Sequence, residues 1–77
     1  MADPADAAGL RLGRVTAFDA RRGLGTVTDA AGETFDFHAT AIADGSRHIA
    51  TGVAVVFTVS PGHRGRYEAR SLLTLSG

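Results

Sequence analysis

The residues of this 77-residue chain best suited to chemistry fall in two short stretches. One is Arg21-Arg22-Gly23-Leu24-Gly25-Thr26-Val27, and the other is Thr34-Phe35-Asp36-Phe37-His38. Asp36 and His38 are two positions apart. On an extended strand they share one face, while Phe35 and Phe37 share the other. A carboxylate beside an imidazole could in principle act as an acid–base pair. No nucleophile or pocket signal accompanies this one, so an enzyme is not expected. His38 could instead stack on a base or, when protonated, pair with phosphate. The plainer alternative is an exposed strand histidine packed on its neighbours.

All eight basic residues are arginine, at positions 11, 14, 21, 22, 47, 64, 66 and 70. Arginine forks phosphates and stacks on bases, which lysine does poorly. Genome composition alone would also produce an Ala-, Gly- and Arg-rich chain without lysine. Arg21 and Arg22 lie at the entrance to a strand, where they could meet phosphate or simply be solvated. Arg47, Arg64 and Arg66 lie in or beside loops. The formal net charge is zero, which argues against strong, indiscriminate phosphate binding. There is no cysteine, and His38, His48 and His63 lack metal-site spacing. No metal or other cofactor is therefore expected. A phosphate loop is excluded, because no Gly-Lys-Ser/Thr follows the glycines.

The elements that must position these residues are short strands. Leu12, Val15 and Phe18 mark the first, over Leu10 to Phe18. A turn at Asp19–Gly23 leads to a second strand, Leu24 to Thr28. Asp29–Gly32 is a tight connection to a third, Glu33 to His38, so these two should form a hairpin. Leu24 and Thr26 would then share an outer face with Asp36 and His38. Ala39 to Ala43 suits one helical turn, and Asp44–His48 a loop. Val53, Val55, Phe57 and Val59 lie on one face of a fourth strand. Pro61–Gly65 is a turn, and Arg66 to Leu75 the last strand. Residues 1–9 are small and acidic and read as a disordered tail. No run of about 18 apolar residues occurs, so no membrane span is expected. The start shows no basic segment before an apolar run, so no secretory signal is expected.

Five short strands, Gly-rich turns and no long helix predict an all-β protein, a small antiparallel barrel. The expected core is Val15, Val27, Phe35, Phe37, Ile42, Ile49, Val55, Phe57, Val59 and Leu72. A chain this small buries roughly 60% of its unfolded surface, which is sufficient for one domain.

The order of these elements resembles the cold-shock domain family over about residues 12–73. Gly13-Arg-Val-Thr-Ala-Phe-Asp19 is similar to the family's opening Gly-x-Val-Lys-Trp-Phe-Asn. Arg22-Gly-Leu-Gly-Thr-Val27 is similar to its first RNP motif, Lys-Gly-Phe-Gly-Phe-Ile. Phe37-His-Ala-Thr-Ala-Ile42 resembles the end of its second motif, Val-His-Phe-Ser-Ala-Ile. Gly52-Val-Ala-Val-Val-Phe57 resembles the Gly-x-x-Val-x-Phe of its fourth strand. The resemblance implies a five-stranded OB-fold barrel over residues 10–77 that binds single-stranded nucleic acid.

The departures gather on the face that would bind. The family stacks bases on outward aromatics; here those positions hold Ala17, Leu24, Thr26, Asp36, Ala39 and Ser46. Phe18 and His38 keep their places. A base–aromatic stack is worth about 1–3 kcal/mol, so most of the stacking contribution is forfeited. Asp36 would repel phosphate but could accept a hydrogen bond from a base amino group. Tyr67 could supply a replacement ring or simply pack on its strand. Gly23 and Gly25 could admit a ligand to the backbone or mark bends.

The expected function is weak, phosphate-driven binding of single-stranded RNA or DNA in the cytoplasm. Its expected site is Phe18, Arg21, Arg22, Leu24, Thr26, Asp36, His38, Arg47, Arg64, Arg66 and Tyr67. The rival is a barrel whose face of Ala17, Leu24, Thr26 and Ala39 contacts a protein partner.

Overall fold

Alternation of inward and outward residues builds the strands, and two bulges break it where the barrel must bend. The computed structural model describes residues 10–62 and 67–75. The tail expected over residues 1–9 lies outside the described residues, as do Arg64, Arg66 and the middle of the expected turn. The elements are β1 (Leu10–Asp19), β2 (Leu24–Asp29), β3 (Thr34–His38), a 3-10 turn (Ala39–Ala41), β4 (Ala54–Pro61) and β5 (Tyr67–Thr74).

The strands close into an OB-fold-like barrel in the order β1-β2-β3-β5-β4, with β4 returning to β1. Four seams are antiparallel, and the β3–β5 seam is parallel. The expected purely antiparallel barrel is thus a mixed one, for a reason of parity. Directions cannot alternate all the way round a ring with an odd number of strands, so at least one neighbouring pair must run the same way. Closure leaves no long free strand edge.

In β1, Val15 pairs with Val27 but Ala17 pairs with Thr26, so Thr16 is the extra residue of a bulge. The bulge reverses the inward–outward parity of the rest of the strand. Val15 is buried, Thr16 and Ala17 are both exposed, and Phe18 is half-buried. A second bulge on the β4–β5 seam puts Val56 opposite Leu73 and Thr58 opposite Arg70. Ser71, at φ 56°, takes up the extra residue of β5.

Val15, Val27, Phe35, Phe37, Ile42, Val55, Phe57 and Leu72 are buried, as expected. Ile49 and Val59 are only partly buried and pack against this cluster. Two alanines join the core instead. Ala69 is inward on β5, and Ala39 is only 9% exposed. Ala39 is therefore not part of an outer face. Its N–H donates to the Gly23 carbonyl at 2.8 Å, which turns the chain inward at the start of the 3-10 turn.

One buried charge holds the β2–β3 connection. Asp29, 8% exposed, accepts from the Ala31 and Glu33 N–H groups through Oδ1, both at 2.9 Å. Its Oδ2 accepts from Arg11 Nη1 at 2.8 Å. Arg11 also covers the Phe35 ring, 5.2 Å from its centroid. Burial pushes the Asp29 carboxyl up. The Glu33 N–H, Arg11 and the Ala31 N–H together outweigh this and hold it below the usual carboxylate range.

Candidate nucleic-acid interface

The outer face of β1, β2 and β3 is an ordered grid. Ala17, Thr26, Asp36 and Glu68 form one cross-strand row, reaching β5 through the parallel seam. Asp19, Leu24 and His38 form the next row. Leu24 and Thr26 thus share a face with His38 and Asp36, as the predicted hairpin requires. Together the rows line a shallow depression, which Phe18 and Arg22 complete.

Under this platform the Phe18 and Phe37 rings stack, their centroids 6.0 Å apart and their planes 5° from parallel. Phe37 is 1% exposed, so Phe18 spends one face of its ring on the core. Gly25 makes this packing possible: a Cβ there would overlap the Phe37 ring. The space a Gly25 side chain would take is therefore filled by the core, while Gly25 itself lines the depression. Gly23, at φ +67°, makes the β1–β2 turn.

Asp19 braces that turn. Its Oδ1 accepts from the backbone N–H groups of Arg21 and Arg22, at 3.0 and 3.3 Å. Its carbonyl accepts from the Gly23 N–H at 2.8 Å. The two arginines therefore leave a fixed backbone while their side chains stay exposed.

Across from them is the loop at 44–48. The Ser46 N–H donates to Asp44 Oδ1 at 2.8 Å. Ser46 Oγ donates to the His48 carbonyl at 3.0 Å and accepts from its N–H at 3.2 Å. The hydrogen bond from the Ser46 backbone N–H holds the Asp44 carboxyl below its ordinary range. Ser46, where the resemblance implies an aromatic, is thus the loop's brace. Between these turns stands Arg47 at φ 62°, a left-handed conformation uncommon outside glycine.

Arg21, Arg22, Arg47, His38 and His48 line one groove, together with Thr40, and among the described residues no carboxylate lines it. Arg22 and His38 also line the platform depression, so the two regions join at these side chains.

The other described arginines are committed elsewhere. Arg11 holds Asp29 and lies 3.6 Å from Glu33. Arg14 donates to the Gly52 carbonyl at 2.8 Å. Arg70 donates to Ser60 Oγ at 2.7 Å and stands 3.9 Å from Glu68. Among the described residues, the side chains of Arg21, Arg22 and Arg47 make no hydrogen bond or ion pair.

Of the residues expected at the site, the structure gathers Phe18, Arg21, Arg22, Leu24, Thr26, Asp36, His38 and Arg47 around these two joined regions. Tyr67 is 60% exposed and pairs with Pro61 at the barrel's end, and it lines neither region. Glu68 and His48 line the site without having been expected there. His48 follows Arg47 directly, and that adjacency was the available signal. Glu68 had none, because only the β3–β5 seam brings it beside Asp36. The chain matches no model of a known protein family and no curated protein.

Proposed function

We propose that this barrel binds single-stranded nucleic acid, RNA or DNA, as a cold-shock-like domain that relies on phosphate contacts instead of an aromatic platform. The observation that carries this reading is the groove of Arg21, Arg22 and Arg47 with His38 and His48. Among the described residues its three guanidinium groups are uncommitted and no carboxylate lines the groove. Arginine forks suit phosphate oxygens, and a fixed backbone on both sides lowers the entropy lost on binding. The ordered resemblance to the cold-shock family supports the same reading. The protein-binding rival has less support: Ala39 is buried, and the remaining Ala17, Leu24 and Thr26 are interleaved with Asp19, Asp36 and His38.

The test is fluorescence anisotropy of labelled single-stranded RNA and DNA oligomers across a salt series. Neutralising two or three phosphates gives a slope of log K against log salt of roughly −1.4 to −2.1. No binding at low salt, or binding indifferent to salt, refutes the reading.

A further inference from the structure

The two joined regions carry opposite charge. The groove presents Arg21, Arg22 and Arg47, with His48. The platform presents the carboxylates of Asp19, Asp36 and Glu68, the last two being Cα partners across the parallel seam. Asp36 is exposed, and Glu68 is half-buried with its side chain packed on Gly62.

A strand running through the whole site would carry phosphates over both regions, and those above the platform would face three carboxylates. A strand that ends in the site avoids this. It puts one phosphate in the groove and one base above the platform. A base also has the matching polarity there, because amino groups on its edge donate to carboxylates. The groove in turn suits a terminal phosphomonoester. Such a group carries about −1.5 to −2 at neutral pH and presents three acceptor oxygens, against a single charge for an internal diester.

We propose that the site captures a phosphorylated end of a single strand. The terminal phosphomonoester sits between Arg21, Arg22 and Arg47, and the end base turns its amino edge to Asp36 and Glu68. The proposal rests on the nucleic-acid reading above and narrows its ligand from any single strand to a strand end.

The experiment compares one oligonucleotide sequence in three forms: 5′-phosphorylated, 3′-phosphorylated and with hydroxyls at both ends. A fluorophore on an internal base leaves the ends free. Dissociation constants are measured for the wild type, Arg21→Ala and Arg47→Ala. The expected result is binding about tenfold tighter for at least one phosphorylated form, since charge-assisted hydrogen bonds are the strong ones. The ratio of phosphorylated to hydroxyl-ended affinity should fall toward one in both variants. Circular dichroism of each variant shows that the barrel is intact. Equal affinity for all three forms overturns end capture and leaves strand binding standing. A phosphate preference that survives both substitutions overturns the assignment of the groove. Binding of no form overturns this proposal and the nucleic-acid reading together.

Discussion

Asp36 and Glu68 stand side by side where β3 meets β5 along the barrel's one parallel seam. Among the described residues Asp36 forms no ion pair, whereas Glu68 stands 3.9 Å from Arg70 Nη2, so Asp36 is the less compensated of the two charges on the platform. Asp36→Asn removes one of these charges without changing shape. Exposed charges interact weakly, at about 1 kcal/mol or less, so affinity for single strands should rise by up to about fivefold. The gain should be largest for oligo-U, which offers no base amino group, so the preference for oligo-C over oligo-U should shrink. Anisotropy titrations of the two oligomers at low salt check this. A uniform loss of affinity would contradict it.

The salt response should follow the arginines that are free. Arg22→Ala should weaken binding of all sequences alike and make the salt slope shallower by about 0.7, the contribution of one phosphate contact on a single strand. Arg14→Ala, whose side chain is spent on the Gly52 carbonyl, should leave the slope where it was. Equal changes in the two variants would show that the groove is not where phosphate binds.

Gly25 should tolerate no side chain. Its Cβ would overlap the Phe37 ring and crowd the Ala17 carbonyl, so Gly25→Ala must displace the centre of the core. Overpacking of this kind costs about 1–3 kcal/mol. Phe37→Ala, which leaves a cavity under Phe18, should cost about 3–5 kcal/mol. Urea midpoints at constant slope measure both. A neutral Gly25→Ala would mean that the Phe37 ring is free to move aside.

Asp29 should make the fold acid-sensitive. Its carboxyl is held below the usual range in the folded chain, so the unfolded chain binds its proton first as pH falls. The stabilisation is complete above about pH 4, the ordinary carboxylate value, and is lost as pH drops through the lower folded value. Asp29→Asn should be less stable at neutral pH, by about 1–3 kcal/mol, with a flatter stability profile below pH 4. Urea midpoints between pH 2 and 7 provide the comparison. Parallel profiles for the two proteins would mean that Asp29 does not set the acid response.

Much of the fold is legible locally. Strand alternation identifies Val15, Val27, Phe35, Phe37, Val55 and Phe57 as core, because a period of two puts each set on one face whatever it packs against. The Asp29–Gly32 turn and the hairpin register come from the same pattern, and with them the shared face of Leu24, Thr26, Asp36 and His38. The misplaced residues are those where a distant partner decides. Ala39 is buried because Gly23, sixteen positions earlier, accepts its N–H. Ile49 and Val59 are apolar but only partly buried, packed against the core cluster without joining it.

For the site the division is sharper. The sequence by itself determined the chemical inventory: arginine without lysine, the missing stacking rings, and a carboxylate and an imidazole two positions apart on one strand. Only the tertiary structure decided how these are grouped. Ring closure with an odd number of strands forces the parallel seam that sets Glu68 against Asp36. The Thr16 bulge turns Ala17 outward and Phe18 onto Phe37. The braced loop at 44–48 brings Arg47 to the groove of Arg21 and Arg22. Periodicity tells each residue which face it is on, whereas closure of the barrel, a non-local event, decides which faces meet.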